Sequence, residues 1–293
     1  MTSEPFIDTH VHFWDHAVPG LRWPWLEPGF TYHDVRGTEA LDAPRYTAEE
    51  FTGEAAGAGT EGVVHVQAVD GVDDLARETE WLQGMADRSN LPSAIVGSCV
   101  VTAPDAPALL ARHARYARFA GVRDITAMRY LDADGAAPAL DALAAGQRSF
   151  EARRHHDEFE VLDEIAARWP TLTVVLSHAC LPRRREASDR RAWTSAAQRL
   201  ARHSNIVCKI SAVAGASDPD WTIATIRPWI EACIDVFGPS RCMFGTNWPI
   251  DRLHATYLQL VEAYREVIAD LDGDSRRLLL AGTARRVYGI PIA

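Results

Sequence analysis

A chain of 293 residues that is 47% hydrophobic can bury a large core, and barrel-type domains of about 250 residues commonly stand alone, so a single domain over 1–293 is expected. Asp and Glu outnumber Lys and Arg 40 to 30, for a net charge of -10; this argues against a nucleic-acid or anionic-membrane surface and leaves room for a local basic pocket. The start, Met1-Thr2-Ser3-Glu4-Pro5, lacks the basic and apolar regions of a secretory signal, and no apolar run is long enough to span a bilayer, so a cytoplasmic protein with no membrane partner is expected.

The first predicted strand, FIDTHVHFW (residues 6–14), carries Asp8, His10 and His12 at alternate positions. Strict alternation sets all three on one strand face, with Ile7, Thr9, Val11 and Phe13 on the other. Two imidazoles so spaced can converge on a metal ion or a substrate; the plainer reading is a strand end whose histidines are solvated or satisfied by neighbours. A long aromatic segment follows, 15–45, and loops of that length are usually functional. Its Trp23 and Trp25 read either as a lid that stacks on a flat substrate or as an apolar plug over the end of a barrel. Thr47 and Glu50 have capping-box spacing for a helix that ends near Gly57 and Gly59.

From there strands and helices alternate. Strands are expected at 62–69, 94–101, 121–125, 149–153 (weak), 172–177, 205–211 and 241–246. Helices are expected at 73–89, 105–119, 136–145, 158–169, 190–203, 221–237, 255–271 and 275–281. The strands are short apolar runs without polar alternation, the mark of a parallel sheet covered on both faces. Eight such units predict an α/β fold, a distorted (β/α)₈ TIM barrel with a long loop after strand one. The alternative is an open Rossmann-like sheet, which the lack of a GxGxxG after any strand disfavours. Five cysteines without a CxxC pair, four of them in apolar segments, read as buried reduced thiols.

Barrel enzymes gather their chemistry at the C-terminal ends of the strands. Here those ends carry His10 and His12 (strand one), Gln67 and Asp70 (two), Arg123 and Asp124 (four), His178 (six), Lys209 and Ser211 (seven), and Asn247 and Asp251 after strand eight. Histidines at two ends, with cations and a carboxylate at others, look like a convergent site. Lys209, an ammonium in an apolar strand, needs an anionic partner, either a substrate or an internal carboxylate. His65 and His113 read as structural or surface, His155 and His156 are ambiguous, and Arg129, Arg153 and Arg154 read first as surface arginines. Cys180 beside His178 has no companion in sequence that would make it a nucleophile.

The motifs DTHVHFW, GVR, LSHACLP, NIVCKIS and RCMFGTNWPID, in this order over 7–288, resemble the amidohydrolase superfamily, and within it the lactonase-like branch of TIM-barrel metal-dependent hydrolases. The resemblance implies a hydrolase that opens a cyclic ester of a carboxylated or sugar-derived small molecule. It implies catalytic roles for His10, His12, His178, Asn247 and Asp251, and a substrate contact for Arg123; from their places at strand ends and loops, Lys209, Arg183, Trp25 and Gln67 are read as further substrate contacts. The carbonyl would be polarised by a metal or by Arg123 and Lys209. His10, His12 and His178 would hold one divalent ion, zinc first, unless the enzyme works without metal. The position matching the family's aspartate after strand eight is Asn247, and an amide is neither a general base nor a strong ligand; Asp251 is the candidate replacement. A nonoxidative decarboxylase or C–C hydrolase of the same superfamily, and a barrel that binds a small acid without turnover, are the rival readings. The resemblance also admits a homo-oligomer.

Overall fold

A computed structural model describes residues 4–30, 37–182, 186–214 and 220–292, with the backbone alone of Met128. Eight parallel strands form one sheet: β1 (Phe6–Val11), β4 (Thr60–Val66), β5 (Ala94–Ser98), β6 (Phe119–Arg123), β7 (Ser149–Ala152), β8 (Val174–Leu176), β9 (Ile206–Ile210) and β10 (Cys242–Phe244), paired in that order. The sheet curls into a (β/α)₈ barrel. Ladder pairing between the first and last strands is confined to one bridge at the upper rim, Val11 to Trp248, with main-chain bonds from Trp248 to His10 and from His12 to Trp248.

Below that bridge, side chains close the barrel. Thr9 Oγ1 donates to the Phe244 carbonyl at 2.7 Å, and Asp8 accepts from the Thr246 amide (2.9 Å) and hydroxyl (2.5 Å). The backbones here run so close that a Cβ on Gly245 would lie 2.8 Å from the Cβ of His10. Only glycine fits that approach.

Two apolar layers explain why the strands are apolar on both faces. Inside the barrel lie Ile7, Val64, Val66, Ala94, Val96, Ala120, Val175, Val207 and Met243. They are sealed from below by Ala281, Ala284, Tyr288 and Ile290 of the C-terminal segment. A larger outer layer packs the other strand face against the helices.

These helices are α1 (Ala48–Glu54), α2 (Ala76–Ser89), α3 (Ala106–His113), α4 (Ala133–Ala145), α5 (Glu160–Arg168), α6 (Ala187–Leu200), α7 (Ile223–Phe237), α8 (Tyr257–Val267), α9 (Gly273–Arg277) and α10 (Thr283–Tyr288). The expected capping box at Thr47 and Glu50 starts α1. The helix expected at 275–281 is instead α9, a π-helical turn (Leu278–Gly282) and α10. Among the described residues no helix is long and apolar enough to cross a membrane. All five cysteines are free and buried.

Strand one departs from strict alternation. Asp8 pairs with Val63 but Val11 with His65, so β1 carries one extra residue between them, and a bulge of this kind re-aims side chains. Asp8 therefore turns outward, where Tyr257 of α8 donates to it at 3.1 Å, while His10 and His12 lie toward His178. The expectation that all three share a face fails for Asp8. Its burial pushes the carboxyl up to about 6, against the pull of its bonds to Thr246, His10 and Tyr257.

The long segment after β1 is tied down by two short antiparallel strands, β2 (Trp14–Asp15) and β3 (Arg45–Tyr46). The two tryptophans sit differently. Trp23 is buried and packs edge-on against Trp81, as a plug would. Trp25, half-buried, has its ring 5.9 Å from that of His12.

Candidate active site

The C-terminal ends of the strands bring three imidazoles together. The His10 ring lies 4.9 Å from His12, edge-on, and 4.4 Å from His178. His12 Nδ1 lies 2.8 Å from the Val66 carbonyl, so it carries the proton and leaves the Nε2 lone pair free. His178 Nδ1 lies 2.8 Å from Ser211 Oγ. His10 Nδ1 is buried without a hydrogen-bond partner, and its Nε2 faces Arg123 Nη1 at 3.5 Å.

Burial, first of all, drives each of the three pKa values well below the ordinary histidine value. For His10 the charges of His178 and His12 add to it; for His12, that of Arg123; for His178, those of Arg153 and Arg123. The rings are thus held as neutral imidazoles, the form that takes up a proton or ligates a metal.

His178 sits in unusual backbone. It, Ala179 and Cys180 all have positive φ (53°, 52° and 49°), a left-handed turn of three non-glycine residues costing about 1–2 kcal/mol each. Sustained strain of this kind concentrates at functional sites. The Trp193 indole, which donates to the Ala179 carbonyl at 3.0 Å, helps hold the turn.

Arg123 is clamped by Gln67. Its Nε and Nη2 donate to Gln67 Oε1 at 2.9 and 2.7 Å, and Nη2 also donates to the Gln67 carbonyl at 2.9 Å. Gln67 Nε2 in turn donates to the Val69 carbonyl at 2.7 Å. Trp25 Nε1 donates to the Ala68 carbonyl at 2.9 Å, so the segment after β4 also orients the aromatic wall.

After strand eight, Asn247 has φ of 60°, a conformation Asn adopts more readily than most residues. Its Nδ2 donates to Asp251 Oδ1 at 3.1 Å, and Asp251 is fully buried. The amide and the candidate replacement carboxylate are therefore in direct contact.

Lys209 takes the second of its two readings. Its Nζ is fully buried and 2.7 Å from both oxygens of Glu151, which also accepts from the Tyr288 hydroxyl at 2.6 Å. Lys209 is thus a member of a barrel-interior ion pair; burial lowers its pKa while the Glu151 charge opposes. Arg183 lies outside the described residues. Arg129 is exposed, and Arg154 is buried, donating to the Ala127 carbonyl at 2.6 Å and pairing with Glu158 at 3.1 Å. Cys180 is no nucleophile candidate: burial pushes its thiol up to about 11.

Ser211 stands out in sequence as a strand-seven end, whereas His65 and Glu78, which also bear on the site, are not singled out for it there. Ser211 partners His178, and His65 accepts the Phe13 amide at 3.2 Å. Glu78 of α2 accepts from the Ala68 and Val69 amides at 2.9 and 3.1 Å. In the sequence Glu78 is one of several acidic residues early in the expected helix 73–89, a pattern the helix dipole alone accounts for.

The imidazoles suit a divalent ion chemically, but their geometry does not assemble one. Among the described residues the one His/Cys/Asp/Glu triplet with all donor atoms within 4.8 Å of one another is His155, His156 and Asp157, on the loop after β7. His10, His12 and His178 do not form such a set as they stand, and Arg123 presents a cation to His10 Nε2.

Residues 7–290 match the amidohydrolase family. A relative named L-fucono-1,5-lactonase, from Burkholderia ambifaria, is 31% identical over 97% of this chain and 95% of its own length. A crystal structure of an amidohydrolase from Burkholderia multivorans with bound zinc is 25% identical, covers 98% of this chain and all of that one, and superposes with a TM-score of 0.81. A 2-pyrone-4,6-dicarboxylic acid hydrolase from Pseudomonas putida, 20% identical over 99% of both chains, shares the fold with a TM-score of 0.69. With these likenesses spanning the barrel and every strand end described above, the chain belongs to the amidohydrolase family, in its lactonase-like branch, and is a hydrolase.

Proposed function

We propose that the protein opens a lactone by water attack at the barrel mouth, releasing a hydroxy acid. The observation that carries this reading is the Arg123 guanidinium, held by Gln67 beside a pair of neutral imidazoles. It pairs an oxyanion-stabilising cation, presented through Nη1, with proton acceptors. The L-fucono-1,5-lactonase relative supports a cyclic sugar ester as the first substrate to try.

In this reading Arg123 Nη1 donates to the lactone carbonyl. His178, with its Nδ1 held by Ser211, takes the proton of the attacking water at Nε2. The tetrahedral intermediate collapses with cleavage of the ring C–O bond, and the proton returns to the leaving alkoxide. Trp25 walls the site beside His12. Asp251 supplies the carboxylate on the strand-eight loop, fixing the Asn247 amide.

The test is turnover on a panel of sugar and carboxylated lactones that includes L-fucono-1,5-lactone. His178→Asn should lower kcat by about 10²–10⁴-fold, the usual worth of a general base. Binding of lactone or hydroxy acid without turnover, with and without added Zn²⁺ or Mn²⁺, would favour a non-catalytic barrel.

A further inference from the structure

Glu78 lies outside the mouth, on α2, yet the walls of the site lead back to it. Its Oε1 accepts three N–H groups: those of Ala68 (2.9 Å), Val69 (3.1 Å) and His65 Nε2 (3.2 Å). His65 Nδ1 accepts the Phe13 amide at 3.2 Å, which places the imidazole proton on Nε2, facing Glu78. Glu78 and His65 are fully buried.

The residues held in this way are the ones that hold the site. The Ala68 carbonyl orients Trp25, the Val69 carbonyl orients the Gln67 amide, and Gln67 clamps Arg123 through three bonds. The Val66 carbonyl fixes the tautomer of His12, and Phe13 is the residue after it. One carboxylate oxygen therefore anchors the main chain on which His12, Gln67, Trp25 and Arg123 all depend. A buried carboxylate with a second oxygen that has no partner is costly unless the first is strongly engaged. An apolar residue would fill the same space on α2 but would leave the Ala68 and Val69 amides unbonded.

We propose that Glu78 is a positioning residue that sets the Gln67–Arg123 clamp, and through it the angle at which the guanidinium meets its substrate. It touches no substrate. The kinetic part of the test rests on the lactonase reading; the spectroscopic part does not.

The experiment follows the Arg123 Nε–H resonance in ¹⁵N-labelled protein, identified by its loss in Arg123→Lys. In Glu78→Ala, and in Glu78→Asp, whose shorter side chain withdraws the oxygen but keeps the charge, that resonance should shift or broaden and exchange with water at least about 10-fold faster, as expected on loss of a hydrogen bond. Glu78→Gln, which retains the accepting oxygen, should restore it. On a lactone substrate Glu78→Ala should lower kcat about 10-fold with a smaller change in KM, the pattern of an interaction made mainly in the transition state. In an Arg123→Ala background the same change should add less than about 2-fold, because both variants remove one interaction.

An unchanged resonance in Glu78→Asp overturns the proposal. Multiplicative effects of Glu78→Ala and Arg123→Ala overturn it equally, since a merely stabilising residue would behave that way. Absence of lactone turnover in the wild type would sink the lactonase reading alone, leaving the resonance to decide the role of Glu78.

Discussion

Asn247 and the three histidines have different claims on a metal ion. His12 has a fixed tautomer with Nε2 free, whereas His10 faces a guanidinium and the strand-eight ligand is an amide. Restoring the carboxylate should shift the balance. Asn247→Asp is expected to fold normally, because Asp also tolerates φ near 60°, and to bind Zn²⁺ at least about 10-fold more tightly than wild type. Two adjacent carboxylates at 247 and 251 favour a cation, and each tenfold gain corresponds to about 1.4 kcal/mol. Calorimetric titration checks this, and an unchanged affinity would mean that Asn247 is not what keeps the site from closing on an ion. At this scale the sequence reveals much, because a polar residue at the end of an apolar strand stands out: the histidines, Arg123 and Gln67 are all legible. Partners such as Glu78 and His65 are not, since their roles depend on which helix or strand packs beside them.

Segments that form the candidate site depart most from regular geometry. The β1 bulge sends Asp8 outward and the histidines inward, and the left-handed turn at His178 through Cys180 aims the third imidazole. Neither leaves a mark in the sequence: a bulge is one extra residue in a run that still alternates, and the turn uses no glycine. The two-residue strands β2 and β3 are likewise too short for any periodicity to show. Helix and strand existence, by contrast, follow from apolar period and caps. The turn makes a testable demand. Ala179, fully buried with φ of 52°, should not accept a β-branched side chain. Ala179→Val is expected to lower unfolding free energy by about 2–4 kcal/mol, from strain plus overpacking. Urea unfolding measures this; a loss below about 0.5 kcal/mol would show that the turn relaxes freely.

Across the whole molecule, the barrel interior is held by the Lys209–Glu151–Tyr288 cluster, which links β9 and β7 to the C-terminal helix α10 beneath the site. Removing one member leaves a buried charge uncompensated. Lys209→Met should cost about 3–5 kcal/mol in chemical unfolding, and Lys209→Met with Glu151→Leu clearly less than the single change, since a buried pair can be exchanged for apolar packing. If the double variant is the less stable of the two, the pair is worth more than its desolvation cost.

Stability should also fall with acid. In chelator-treated protein below pH 6.5, unfolded His10, His12 and His178 bind protons that the folded state refuses, each lowering stability by up to about 1.4 kcal/mol per pH unit. Asp8, raised to about 6 from 3.8, acts in the opposite sense between those values, because there the folded state binds the extra proton. Three imidazoles outweigh one carboxyl, so the urea midpoint should drop from pH 6.5 to pH 5, and His12→Asn should flatten that slope.

Eight apolar runs make the (β/α)₈ architecture legible in the sequence. Its closure through Asp8, Thr9 and Gly245 is not, since it depends on contacts across more than 230 positions of chain.

Opening of a lactone by water at this mouth is read by isotope transfer. Protein incubated in H₂¹⁸O with L-fucono-1,5-lactone and a panel of carboxylated lactones should release a hydroxy acid carrying one ¹⁸O in its carboxylate, at a rate that falls sharply in His178→Asn. Release of CO₂ without ¹⁸O in the organic product, or no turnover of any lactone under metal-free and metal-supplemented conditions, would contradict it.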